Sequence, residues 1–187
     1  MNSSKLIALI VVALLYLPAL TAQENAVDIK KNELKFNALN AIVFRTLEGS
    51  YEYLVDNESS FGISLLYNLE DENSTNNNDD NSYIEKFAIT PYYRHFFSRK
   101  YAWGFFLEAF AMYNQQEDKY YNGLEDGYTL GKSNNFALGM SLGGKFVSKG
   151  GFAFEFYGGL GRNIAIGNEQ YGTDLVPRLG ASFGYRF

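Results

Sequence analysis

From Leu175 to Phe187 the side chains alternate without a break. Leu175, Pro177, Leu179, Ala181, Phe183, Tyr185 and Phe187 fall on one face, and Val176, Arg178, Gly180, Ser182, Gly184 and Arg186 on the other. A period of two marks a β-strand, whose successive side chains leave opposite sides of the pleat. The second face is the informative one. In a soluble sandwich it would carry long solvated side chains, yet here it is mostly glycine, serine and valine. The stretch 134–148 repeats the pattern, with Phe136, Leu138, Met140, Leu142, Gly144 and Phe146 opposed to Ala137, Gly139, Ser141, Gly143 and Lys145. A small, polar face suits a confined interior, which leaves the large apolar face to point outward, as in a barrel whose solvent is lipid.

Eight such segments can be read, at about 34–45, 47–55, 60–69, 84–97, 101–114, 134–147, 151–163 and 175–187. The connectors alternate in length: 56–59, 98–100 and 148–150 are tight, whereas 70–82, 115–133 and 164–174 are long and polar. The first connection of the long set, near Thr46 to Gly49, is brief. Short turns on one rim and long loops on the other predict an antiparallel up-and-down transmembrane β-barrel of eight strands, with the short rim periplasmic. Closure is obligatory in hydrocarbon, which offers no partner to an open strand edge. The competing all-β reading is a secreted soluble barrel or sandwich of lipocalin size.

The N-terminus carries an address. Lys5, an apolar run from Leu6 to Leu20, and then Thr21, Ala22 and Gln23 follow the order of a secretory signal, and the run is short for a membrane span. The expected organisation is a signal peptide over 1–22, a periplasmic leader over 23–33 and the outer-membrane barrel domain over 34–187. With no cysteine in the chain, disulfide frameworks, thiolate metal sites and cysteine nucleophiles drop out. A net charge of −5 argues against nucleic acid as a partner, and 16 Phe with 15 Tyr argue against disorder.

With its signal, its loop alternation and the ending Phe183, Gly184, Tyr185, Arg186, Phe187, the chain resembles the small eight-stranded outer-membrane barrels of the OmpA, OmpX and OmpW kind and their uncharacterised relatives from diderm bacteria. The resemblance implies integral residence in the outer membrane, against lipid and lipopolysaccharide. It also implies that Phe183, Tyr185 and Phe187 form the C-terminal signal read by the barrel-assembly machinery during insertion. It does not imply the wall-anchoring role of longer OmpA-like proteins.

Parity places Glu52, Glu108 and Glu155 inward together with Arg94, Lys145 and Arg178. An unpaired ion in a poorly hydrated interior costs several kcal/mol, so these six are expected to form a lumen ion-pair network. Hydration of the same groups by lumen water is the alternative. Phe106, Phe110, Tyr92 and Tyr157 also turn inward, opposite strands lined by glycine and alanine, which predicts a plugged lumen. Trp103, Tyr67, Tyr93, Tyr113 and Tyr185 face outward near strand ends, as interfacial aromatic girdles do.

The loop 70–82 and the acids Glu117, Asp118, Glu125 and Asp126 make the outer rim acidic, whereas Arg99, Lys100 and Lys149 make the other rim basic. The acidic spacing does not follow the EF-hand order of ligands, so no metal site is assigned. The lone histidine, His95, lies beside a short periplasmic turn, away from the lipid A leaflet, and no nucleophile and orienting group accompany it. Gly139 to Lys145 imitates a phosphate loop, but Phe146 stands where Ser or Thr is needed and the segment is strand. The expected function is non-enzymatic and without cofactors: a structural or surface-interaction barrel. A narrow porin-like channel for small solutes and an accessory subunit with an envelope protein partner are the alternatives. For the subunit reading, Gly144, Gly158, Ala109 and Ala111 would offer an outward patch of small residues.

Overall fold

The alternating segments become strands of one closed sheet. A computed structural model describes residues 30–69, 85–122, 127–167 and 174–187, with 117–122 and 127–130 described by backbone alone. The expected signal peptide, residues 23–29 of the leader, the acidic loop 70–82 and the acids of 117–126 lie outside what is described in side-chain detail. The elements are β1 (Asn32–Asn37), α1 (Ala38–Val43), β2 (Thr46–Leu54), β3 (Ser59–Asn68), β4 (Glu85–Phe96), β5 (Gly104–Asn122), β6 (Gly127–Val147), β7 (Phe152–Ile166) and β8 (Leu175–Arg186). Each strand pairs antiparallel with the next, and β8 returns to β1 to complete an eight-stranded up-and-down barrel. The barrel unit spans Lys31–Arg186.

The first expected strand, 34–45, is corrected at both ends. It begins at Asn32, so Glu33 is a strand residue and not part of a leader, and it stops at Asn37, where a short helix starts. The Asn37 side chain accepts from the backbone N–H of Asn40, an N-cap that diverts the chain into a helical turn. The run Ala41, Ile42, Val43, Phe44 already breaks the alternation in sequence. Arg45, at φ 51°, reverses the chain into β2. The brief connection placed at Thr46 to Gly49 is therefore strand, and α1 is the connection.

The second correction concerns 115–133. Backbone pairing continues from Asn114↔Asn135 out to Asn122↔Gly127, so most of this expected loop is a two-stranded ribbon. Ladder hydrogen bonds are made by the backbone and persist where the side chains turn polar. At the other rim β5 starts at Gly104 and not at 101, because residues 97–103 fold back toward the barrel. Ala102, fully buried at φ 39°, donates its N–H to the carbonyl of Asn57 at 2.8 Å, and Phe96 N–H reaches the carbonyl of Glu58 at 2.6 Å. Two short turns are thus laced together across that rim.

Residue polarity is inverted relative to a water-soluble domain. Phe105, Phe152 and Leu142 are 74%, 71% and 67% exposed on the outward face, while Glu33, Glu52, Glu108 and Lys145 are wholly buried inside. Aromatic side chains fill the interior by lying over glycines paired with them in register: Tyr92 over Gly62, Phe110 over Gly139, Phe106 over Gly143 and Tyr157 over Gly180. A Cβ at Gly143 would stand 2.5 Å from both the Phe106 ring and the Phe156 carbonyl oxygen, so this approach requires glycine. The outward small-residue patch is corrected in part. The space above Gly144 is taken by the Phe156 ring, and Gly158 lies against Leu179 of the same barrel.

Candidate functional site

The inward positions of seven strands converge on one charged cluster. Glu52 of β2 accepts from Lys35 of β1, from Arg94 Nη1 of β4 at 2.9 Å and from Lys145 Nζ of β6 at 2.7 Å. Glu155 of β7 takes Lys35 at 2.8 Å and Arg94 at 2.7 Å. Glu108 of β5 joins Arg94 Nε at 2.7 Å to Arg178 Nη1 of β8 at 2.6 Å. Toward the short-turn rim Lys145 also binds Glu33 at 2.7 Å, and Glu33 binds Arg186 at 2.6 Å. At the other end Arg178 lies 3.6 Å from Glu48, which accepts from the amides of Asn37 at 2.8 Å and Asn40 at 2.6 Å.

The six residues expected at the network, Glu52, Glu108, Glu155, Arg94, Lys145 and Arg178, are all brought into it. Four more belong to it: Glu33, Lys35, Glu48 and Arg186. Among the described residues the linked set thus holds five carboxylates and five cations. Equal numbers matter, since an uncompensated charge in a dry interior costs several kcal/mol. Parity carries the signal for all four: Lys35 and Arg186 lie inside the expected strands, whereas Glu33 falls in the expected leader and Glu48 in the connection expected near Thr46 to Gly49.

The rings hold the cations in place from the sides. The Arg94 guanidinium lies 4.5 Å from the Tyr92 centroid and 4.3 Å from that of Phe106, and Arg178 lies 4.9 Å from Phe110 and 5.2 Å from Tyr157. Arg186 closes the floor, donating to the carbonyls of Tyr101 at 3.0 Å and Ala102 at 2.9 Å. Farther along β5 the inward residues pass from Glu108 through Phe110 and Met112 to Asn114 and Gln116. There the interior becomes a tier of amides: Asn114 donates to Asn163 at 3.1 Å, and Asn135 donates to Asn114 at 3.2 Å and Gln116 at 2.9 Å.

Chemically this is a filled wall-to-wall contact set. The gap bordered by Glu48, Tyr92, Arg94, Glu155, Tyr157 and Arg178 is too tight to take the centre of a water molecule. Among the described residues Ser141 Oγ is the one buried side-chain polar atom without a hydrogen-bond partner, and no group of His, Asp and Glu is arranged as a metal cage. His95 is half-buried on the outer face, edge-on to Phe97 with centroids 4.9 Å apart. Of the C-terminal signal residues, Phe183 is 59% exposed and Tyr185 36%, both outward on β8, and Phe187 is also exposed. Tyr67, Tyr93 and Tyr113 are exposed on strands, whereas Trp103 lies just before β5, half-buried against Phe146.

No curated protein and no solved structure matches the chain. A family model does match it over residues 8–175, from the expected signal segment to the first residue of β8. The chain therefore belongs to DUF3575, a family described as a protein of unknown function.

Proposed function

We propose that this protein is an integral outer-membrane barrel, exported by a signal peptide over 1–22, with a structural or surface-interaction role and no catalytic or conducting activity. The observation that carries the reading is the inversion of polarity. A face bearing Phe36, Phe61, Leu65, Leu138, Leu142 and Phe154 at 37–67% exposure needs an apolar solvent, while the polar residues are inside. On this reading the short-turn rim is periplasmic, lipid and lipopolysaccharide are the surroundings, and Phe183, Tyr185 and Phe187 address the assembly machinery, in the manner of OmpA-, OmpX- and OmpW-like barrels. The packed lumen speaks against the porin-like alternative, because a path for solutes would have to part ion pairs at 2.6–2.9 Å.

The test is fractionation followed by reconstitution. The mature protein should partition with outer membranes, need an amphiphile to stay monomeric, and give no steady conductance in planar bilayers. A monomer soluble in plain buffer overturns the membrane assignment, and a large steady conductance overturns the sealed lumen.

A further inference from the structure

The short-turn rim carries a charge that the interior network does not use. β5 pairs with β6, so the β4–β5 and β6–β7 connectors stand side by side on that rim. The first supplies Arg99 and Lys100 and the second Lys149, all exposed, and neither connector contains an acid. The exposed acids described on this rim, Asp56 and Glu58, sit on the β2–β3 turn. There the Asp56 carboxylate is occupied by the backbone N–H groups of Glu58 and Ser59, each at 2.8 Å. Directly beneath Lys100 is Trp103. The Lys100 ammonium lies 4.4 Å from its centroid, and the indole meets the Phe146 ring edge-on at 5.3 Å. Phe146 in turn stacks on Phe156 at 6.1 Å, and Phe105, beside them, is 74% exposed. Read away from the rim, the surface runs from three cations through one indole to a phenyl wall.

That order is the complement of an amphiphile with an anionic head. We propose that this surface binds an anionic phospholipid, its phosphate held by Arg99, Lys100 and Lys149 and its acyl chains laid along Trp103, Phe105 and Phe146. The proposal rests on the membrane reading above and adds to it a lipid class and a leaflet. A zwitterionic head has no net charge to offer the cations, whereas each basic residue near the surface favours an anionic one. The indole holds the Lys100 ammonium at the interface, where tryptophan itself prefers to lie, so part of the site is ordered before lipid arrives.

Trp103 is the only tryptophan in the chain, so its fluorescence reports this site alone. The protein is reconstituted in phosphatidylcholine vesicles containing a minor fraction of acyl-brominated quencher lipid, either phosphatidylcholine or phosphatidylglycerol. Brominated phosphatidylglycerol should reach half-quenching at a mole fraction roughly fivefold lower. Replacing Arg99, Lys100 and Lys149 together by Gln should bring the two curves together. Arg162→Gln, at an exposed cation toward the other end of β7, should keep them apart. Equal quenching by both lipids in the unaltered protein, or a preference that survives the triple replacement, overturns the proposal and leaves the membrane reading standing. Loss of the preference to millimolar inorganic phosphate at constant ionic strength reassigns the site to a free anion. Absence of quenching by either lipid overturns the membrane reading itself.

Discussion

The interior of the barrel has two halves that are equally dry and chemically unlike. Toward the short-turn rim it is ionic, with Glu33, Glu52, Glu108, Arg94 and Lys145 at 0–1% exposure, and toward the long-connection rim amides predominate, with Asn114, Gln116, Ser133 and Asn135 at 0–2% beside one buried carboxylate, Glu85, opposite Gln116. The amide tier is local. Asn114, Asn135 and Asn163 come from the three neighbouring strands β5, β6 and β7, and an amide carries donor and acceptor together, so any adjacent pair can satisfy itself. The ionic tier is global. A carboxylate only accepts and an ammonium only donates, so each must find its opposite wherever it lies, and the partners reach across the barrel: Lys145 of β6 to Glu33 of β1, Arg178 of β8 to Glu108 of β5. β1 has six residues and β6 has 21, so the seam at β1 has little backbone to hold it, and two cross-barrel bonds reach it, Lys35 to Glu155 of β7 and Glu33 to Lys145 of β6.

The comparison breaks most readily at Glu52, which serves three cations. Glu52→Gln keeps shape and removes charge, leaving Lys35, Arg94 and Lys145 with one carboxylate fewer, and is expected to cost about 3–5 kcal/mol. Adding Lys145→Gln restores the charge balance and should return part of that loss. Denaturant unfolding of both variants in detergent micelles measures the difference. A double variant as unstable as the sum of its single replacements would show that the pairs act separately and that overall balance is irrelevant.

In the amide tier the matching experiment is Asn135→Ala, which removes two donated bonds and the acceptor of Ser133 at 2.6 Å. Its expected cost is about 1–2 kcal/mol, the scale of buried neutral hydrogen bonds. No single compensating charge replacement should restore it. Equal losses at Asn135 and Glu52 would erase the distinction between the tiers.

The two halves also differed in how far they could be read in advance. Strand parity follows from the pleat alone, so Glu52, Arg94, Glu108, Lys145, Glu155 and Arg178 were visible as inward charges from spacing. Glu33 and Glu48 were hidden because they lie near strand ends, where the Asn37 cap and the helix at Ala38–Val43 displace the apparent boundaries of β1 and β2, whereas Lys35 lay inside the expected first strand and parity alone turns it inward. Arg186 lay on the inward face, but nothing in spacing revealed that its guanidinium would close the floor on the Tyr101 and Ala102 carbonyls. The amide tier was illegible for a different reason. Asn114 and Asn135 lie at the ends of their expected strands, and Gln116 and Ser133 fall in the polar stretch 115–133, which hydropathy treats as loop. The backbone ladder that carries them inward leaves no apolar trace.

The smallest expected effect lies outside both tiers and serves as their control. Asp56, on the exposed β2–β3 turn, is held below the usual carboxylate range by hydrogen bonds from the Ser59 side chain and the Glu58 backbone. Because its folded pKa is depressed, its contribution is present above the unfolded value near 4 and is lost as pH falls through the folded one. Unfolding midpoints measured from pH 6 down to pH 3 should therefore separate the native protein from Asp56→Asn at the upper end and converge at the lower. The buried carboxylates are common to both proteins, so this difference isolates the turn from the ionic tier. A gap that widened on acidification would mean that Asp56 is stabilised as the acid, and the turn's hydrogen bonds would have to be assigned the other way round.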